Sequence, residues 1–379
     1  MKIVARAACA VVFALVAAAA VVGNAGAAPP ATHGPAPAHV VFVETDNPAG
    51  NQVVAYDRGA DGRLTQAGVY DTGGLGGVLS GSQVDHTASQ GALAYDAANQ
   101  LLLAVNAGSN TVSVFRVNGD RLTAVQVVPS GGSFPVSIAV SHNLVYVLNA
   151  RHGGSIQGFV VLGAHLFPLP GSTRQLGLDP NLQPEFTSTP GQVTFTPDGR
   201  NLVVTTKGNG SAIDVFGVGP FGYPTAAPVS TPVPGAVPFA LVYDSEGNLV
   251  VSEAGPNSLA TFRLNGDGTV TALQTVPTGQ TATCWVVGSG HFFFVSNAGS
   301  GTVSRYVSGS GGALGLLGTT PTDPGTIDAA ASPDGAYLYV QTGAAGDVDE
   351  FAIGVDGSLT PIGSVSVPGA AGGEGIVAL

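Results

Sequence analysis

Asp328, in "TIDAAAS", and Glu374, in "GEGIVAL", each stand at the start of a short apolar run. Two carboxylates brought together can split their proton affinities, one serving as acid and the other as base. Gln90, Ser137, Gln192 and Trp285 hold equivalent or adjoining places before other apolar runs. A fold that gathers these starts would gather a polar, varied set suited to a small molecule. Asp328 and Glu374 are therefore the candidate catalytic pair. Gln90, Ser137, Gln192, Lys207, Glu253 and Trp285 are the candidate ligand-binding residues. The competing reading is that polar groups at a wet mouth only hold water.

A second set of positions closes turns. Asn106, Asn149, Glu253 and Asn297 end strand-like runs, with Thr45, Thr206 and Thr342 in the corresponding places. Such oxygens resemble ligands for a hard cation. An Asn before "AGS" also closes a tight turn through its own side chain, and that simpler reading is preferred, so neither metal nor cofactor is expected. Glu253 stands out, because that turn does not require an acid. Asp85–His86 is the only adjacent acid–imidazole pair and lies in the Gly-rich stretch "DTGGLGGVLSGSQVDHTASQ", 71–90. That stretch is either a lid or slack. Cys284 is either a nucleophile or a buried thiol. No G-x-S-x-G occurs, the seven histidines show no zinc-ligand spacing, and "GVGPFG" at 217–222 is broken by Pro220.

These residues must be positioned by repeated elements. The runs "VFVET", "LLAVN", "VYVLN", "LVVTT", "LVVSE", "FFVSN" and "LYVQT" end at Thr45, Asn106, Asn149, Thr206, Glu253, Asn297 and Thr342. The separations are 61, 43, 57, 47, 44 and 45 residues. Most copies are preceded by another apolar run and all are followed by two more β-rich runs. Four short strands per repeat of this length is the signature of a β-propeller blade. With 56 Gly and 26 Pro, helical periodicity has no room to develop. The expected fold is all-β: a single seven-bladed β-propeller over 39–379, four antiparallel strands per blade. The first repeat lacks an inner strand and "GEGIVAL" has no repeat after it, so the C-terminal strand is expected to join blade one and close the ring.

Composition narrows the partners. Residues 1–27 carry Lys2 and Arg6, an apolar run and Ala25-Gly26-Ala27, which reads as a secretory signal peptide; residues 28–38 read as a Pro-rich lead. Removing the leader takes two of 12 basic residues and leaves 10 against 24 acids, a net charge of −14 with Lys207 as the only lysine. So acidic a surface argues against nucleic acid, and no mature segment suggests membrane insertion. A secreted monomer, extracellular or periplasmic, is expected, with a small molecule as its partner.

The segments "SQGALAYDAANQLLLAVNAGSNTVSVFRVNG", "PVSIAVSHNLVYVLNA", "TPGQVTFTPDGRNLVVT" and "QTATCWVVGSGHFFFVSNAGSGTVSRY" resemble the lactonase-like seven-bladed propellers. That family includes 6-phosphogluconolactonase and proteins named for 3-carboxymuconate cyclase, and this chain is most similar to its exported branch. The resemblance implies hydrolysis of a lactone or a related sugar-acid derivative. It also implies a His-containing loop before "PDGR", where this chain has Thr189, Gly191 and Gln192, with Lys207 near the family's carboxylate. Two readings follow: a lactone hydrolase using Asp328 or Glu374 as base, or a non-catalytic extracellular propeller that binds a ligand or protein.

Overall fold

The computed structural model describes residues 39–379; the signal-peptide and Pro-rich readings of 1–38 lie outside the described residues. Seven antiparallel sheets follow one another around a ring. Blades two to seven begin their inner strands at Leu93, Pro135, Pro190, Pro238, Thr283 and Thr326. Blade three carries a fifth strand, Arg174–Gln175, because its outer strand is broken after Pro168. Among the described residues no helix is long and apolar enough to cross a membrane.

Closure occurs as the repeats require. The C-terminal strand Ile376–Ala378 pairs antiparallel with Val40–Glu44, matching Val41 with Ala378 and Val43 with Ile376. Gln341 of blade seven fastens this junction: its amide donates to the Gly373 carbonyl at 3.3 Å and accepts from the Gly375 N–H at 3.0 Å. The amide thus satisfies two backbone groups at the junction where the ring closes.

The core lies between blades rather than within them. Phe42, Val53 and Ala55 of blade one pack on Leu93, Leu102 and Phe115 of blade two. Tyr146, Leu148 and Ile156 of blade three meet Val193, Phe195 and Val204 of blade four. Second strands such as Leu101–Asn106 and Leu144–Asn149 are therefore apolar on both faces. Buried tyrosines keep their hydroxyls bonded across or beside these seams, as when Tyr146 reaches the Gly222 carbonyl at 2.6 Å and Tyr339 that of Gly62 at 2.7 Å.

One irregularity positions the site. In blades three to seven the inner strand shifts register near its first residues, at Pro135/Ser137, Pro190/Gln192, Pro238/Leu241, Thr283/Trp285 and Thr326/Ala329. Such a bulge bends the strand and re-aims a side chain. It recurs at the same depth around the channel, where the candidate polar residues lie.

Candidate functional site at the channel mouth

Two connections exceed the blade rhythm, and they meet over the channel. One is 71–90; the other, 176–189, contains a single helical turn, Glu185–Ser188. The Ser80 N–H donates to Glu185 Oε2 at 2.7 Å, and Arg151 pairs with Glu185 at 2.7 Å while also reaching the Val78 carbonyl at 3.3 Å. Together they form a cap.

The first connection enters the mouth. Both polar ends of the Gln90 amide bond Val286 of blade six: Nε2 to its carbonyl at 2.9 Å and Oε1 from its N–H at 3.0 Å. Trp285 Nε1 donates to the Ser89 carbonyl at 2.7 Å. These ties stretch between residues 196 apart in sequence, so the 71–90 segment is an ordered plug rather than slack.

Asp85 is the centre of that plug. Its Oδ1 accepts from the Thr87 and Ala88 N–H groups, both at 2.8 Å, and from the Thr87 hydroxyl at 2.9 Å; Oδ2 accepts from the Ser89 N–H at 3.0 Å. A carboxylate suits this turn because its oxygens satisfy three consecutive backbone donors that would otherwise be buried unpaired. Burial raises its proton affinity while those donors hold it down, and the rise prevails.

Behind Asp85 stand the two carboxylates expected from sequence. The Thr87 hydroxyl lies 3.3 Å from Glu374 Oε2, and the Gly91 N–H donates to Glu374 Oε1 at 2.9 Å. Glu374 and Asp328 share a hydrogen bond, which requires one proton between two acids. Burial, with the nearby Asp328 and Asp85 charges, pushes Glu374 well above the usual range. Burial likewise raises Asp328 to about 7, opposed by its bonds from Glu374 and the Ala329 N–H. Glu44 and Asp46 of blade one, both fully buried, are raised as well, chiefly by burial.

Lys207 is fully buried beside this acidic group, with Nζ donating to the carbonyls of Ala88 and Phe186, one from each part of the cap. It also lies 5.2 Å from the Phe239 ring centre. Burial lowers it to about 7, against the upward pull of Asp85 and Cys284. Burial pushes the Cys284 thiol up to about 12, so it stays neutral.

Between cap and blades lies a cavity of about 280 Å³, walled by Val84, Asp85, Phe186, Phe239, Cys284 and Trp285, among others. Asp85 is thus the acidic residue in the cavity wall, whereas Glu374 and Asp328 are not part of it. Of the sequence candidates, Gln90, Trp285 and Lys207 meet around the plug. Gln192 is near, its Oε1 accepting from the Leu241 N–H at 2.6 Å; Ser137 is occupied by the Val193 N–H at 3.2 Å. Glu253 lies apart and accepts from the Ser258 hydroxyl at 2.7 Å, closing its own turn. Asn106 and Asn297 likewise spend their amides on neighbouring hydroxyls of their own blades. Where the family resemblance implies an imidazole loop, Gly191 has no room for one: a Cβ there would fall 2.3 Å from the Phe239 carbonyl. Sequence reasoning missed Thr87, Phe186 and the 176–189 half of the cap. The 57-residue separation was the available signal.

The sequence profile described as Lactonase, 7-bladed beta-propeller, matches residues 77–372. The chain belongs to this family. Three solved structures share its fold. A protein from Lactobacillus plantarum is 20% identical, with 90% of this chain and 99% of that one covered at a TM-score of 0.73. A Bacteroides uniformis protein provisionally named a 6-phosphogluconolactonase is 17% identical, covering 91% and 100% at 0.74. The periplasmic gluconolactonase of Pseudomonas aeruginosa is 21% identical, covering 89% and 98% at 0.70. No curated protein matches the sequence. At these identities the solved structures establish the fold of this lactonase-family propeller, and its chemistry must be argued from its own residues.

Proposed function

We propose that the protein hydrolyses a lactone in the cavity between cap and blades. The observation that carries this reading is a carboxylate residue, Asp85, in the wall of a partly open cavity in a lactonase-family propeller, linked through Thr87 to a proton-sharing acid pair. In this reading Asp85 takes a proton from water as the oxygen adds to the lactone carbonyl carbon. The ring C–O bond then breaks, and the departing alkoxide receives that proton, giving the open hydroxy acid. Asp328 and Glu374 do not touch the substrate; they set the charge behind Asp85 and offer an alternative home for the proton. Lys207 is the cation whose field offsets the developing oxyanion. A leader reading at residues 1–27, together with the periplasmic location named for one structural relative, supports action outside the cytoplasm.

The test is a lactone-hydrolysis panel run on the protein and on Asp85→Asn, Asp328→Asn and Glu374→Gln. Asp85→Asn should lower kcat by a hundredfold or more, because a base acts on the transition state. The two rear variants should move the pH profile and lower kcat less. A protein inert on every lactone, yet saturably binding one, would favour the non-catalytic binding reading instead.

A further inference from the structure

We infer that the substrate is an uncharged lactone bearing an apolar substituent, and not a phosphorylated or polyhydroxylated one. The inference rests on the hydrolase reading of this cavity and concerns its selectivity. The only charged residue on the wall is Asp85, and its charge is negative. Cys284 contributes a neutral thiol. Phe186, Phe239, Trp285 and Val84 make the surface apolar, with Phe239 and Trp285 in edge contact at 5.0 Å between ring centres.

A phosphate needs a cation at contact distance, since burying its charge unpaired is prohibitive. Lys207 does not line the cavity, and two of its three donors already serve the Ala88 and Phe186 carbonyls. Arg151, the other basic group attached to the cap, is held by Glu185 at 2.7 Å. Behind the wall, Asp328, Glu374, Asp46 and Glu44 supply no positive charge to offset that of an anion. A sugar lactone fares little better. Each hydroxyl buried without a partner is costly, and aromatic rings offer few partners. The volume, about 280 Å³, is at the lower end for ligand cavities, which suits a lactone ring with a short alkyl or aryl arm.

Trp285 is the only tryptophan of the chain, so its fluorescence reports this cavity directly. Emission is titrated with a five-carbon-substituted δ-lactam, an unhydrolysed stand-in for the alkyl lactone, and with gluconolactam and its 6-phosphate. The alkyl lactam should saturate the signal at least tenfold more tightly than gluconolactam, and the phosphate should give no saturation. Phe239→Ala, or the milder Phe239→Leu if the first fails to fold, should weaken the alkyl ligand tenfold or more. Hydrolysis of the matching lactones is followed in parallel. Tighter binding or faster turnover of the phosphorylated compound overturns the selectivity and leaves the hydrolase reading standing. Alkyl binding with no turnover of any lactone retains the selectivity and overturns the hydrolase reading. Binding of none of the three overturns both.

Discussion

At the scale of single residues, a hydroxyl decides how protons can move. Thr87 stands 2.9 Å from Asp85 and 3.3 Å from Glu374, so one side chain joins the cavity wall to the acid pair behind it. Thr87→Val keeps the shape and removes the link. It should lower kcat tenfold or more with KM little changed, while Thr87→Ser restores activity; stability should change by about 1 kcal/mol, the net worth of one hydrogen bond. A fully active valine variant would show that no proton passes this way. Glu253 supports a different expectation. Its carboxylate bonds Ser258 within its own turn, so calcium or a chelator should leave the melting temperature unchanged. A native-state metal would instead stabilise by about 2.7 kcal/mol at a hundredfold excess over its Kd. A calcium-dependent rise abolished by Glu253→Gln would reverse that assignment.

At the scale of elements, closure depends on three C-terminal residues and one amide. Gln341→Leu leaves the Gly373 carbonyl and Gly375 N–H without partners, each costing about 1–3 kcal/mol. Urea unfolding should therefore show a loss of about 2–6 kcal/mol. Truncation before Gly373 should abolish the cooperative transition altogether, and an unchanged curve for the truncated chain would contradict the role of the strand. This junction was legible in the sequence because repetition makes a missing strand conspicuous. The gathering of Gln90, Trp285, Asp328 and Glu374 at one face was legible for the same reason: equivalent places in a ring converge. The cap was not. Nothing in 71–90 or 176–189 is periodic, and their meeting through Glu185, Ser80 and Lys207 is fixed by contacts between residues far apart in the chain. The departure of Asp85 from slack to cavity wall depends on three backbone donors, which no residue pattern announces.

At the scale of the whole molecule, the ring buries five acids around one end of its channel, Glu44, Asp46, Asp85, Asp328 and Glu374, with Lys207 as the buried cation among them. Such an arrangement makes stability depend on pH in a definite direction. Asp328 is raised to about 7 when folded, whereas an unfolded Asp titrates near 3.9. Across that window the folded state binds more protons than the unfolded one. The stability present below pH ~4 is therefore lost as pH rises through about 7. Lys207 acts oppositely. Folded it titrates at about 7 and unfolded near 10.4, so from neutrality upward the unfolded state holds the extra proton and stability recovers. Glu44, Asp46 and Glu374, raised well above their ordinary values, extend the acid-side loss toward neutrality and blunt the alkaline recovery. The melting temperature should thus be highest in mild acid, fall between pH 5 and 7, and rise again more weakly above pH 8. Calorimetry across that range checks the shape, and two variants assign its limbs. Asp328→Asn should flatten the fall, because the group that captures a proton on folding is gone. Lys207→Met should remove the alkaline rise and raise stability near pH 7, where the wild type buries a partly charged amine. A profile that climbs steadily from pH 5 to 8 in the unaltered protein would mean that these acids stay ionised when folded, and that their charge is balanced by something other than shared protons.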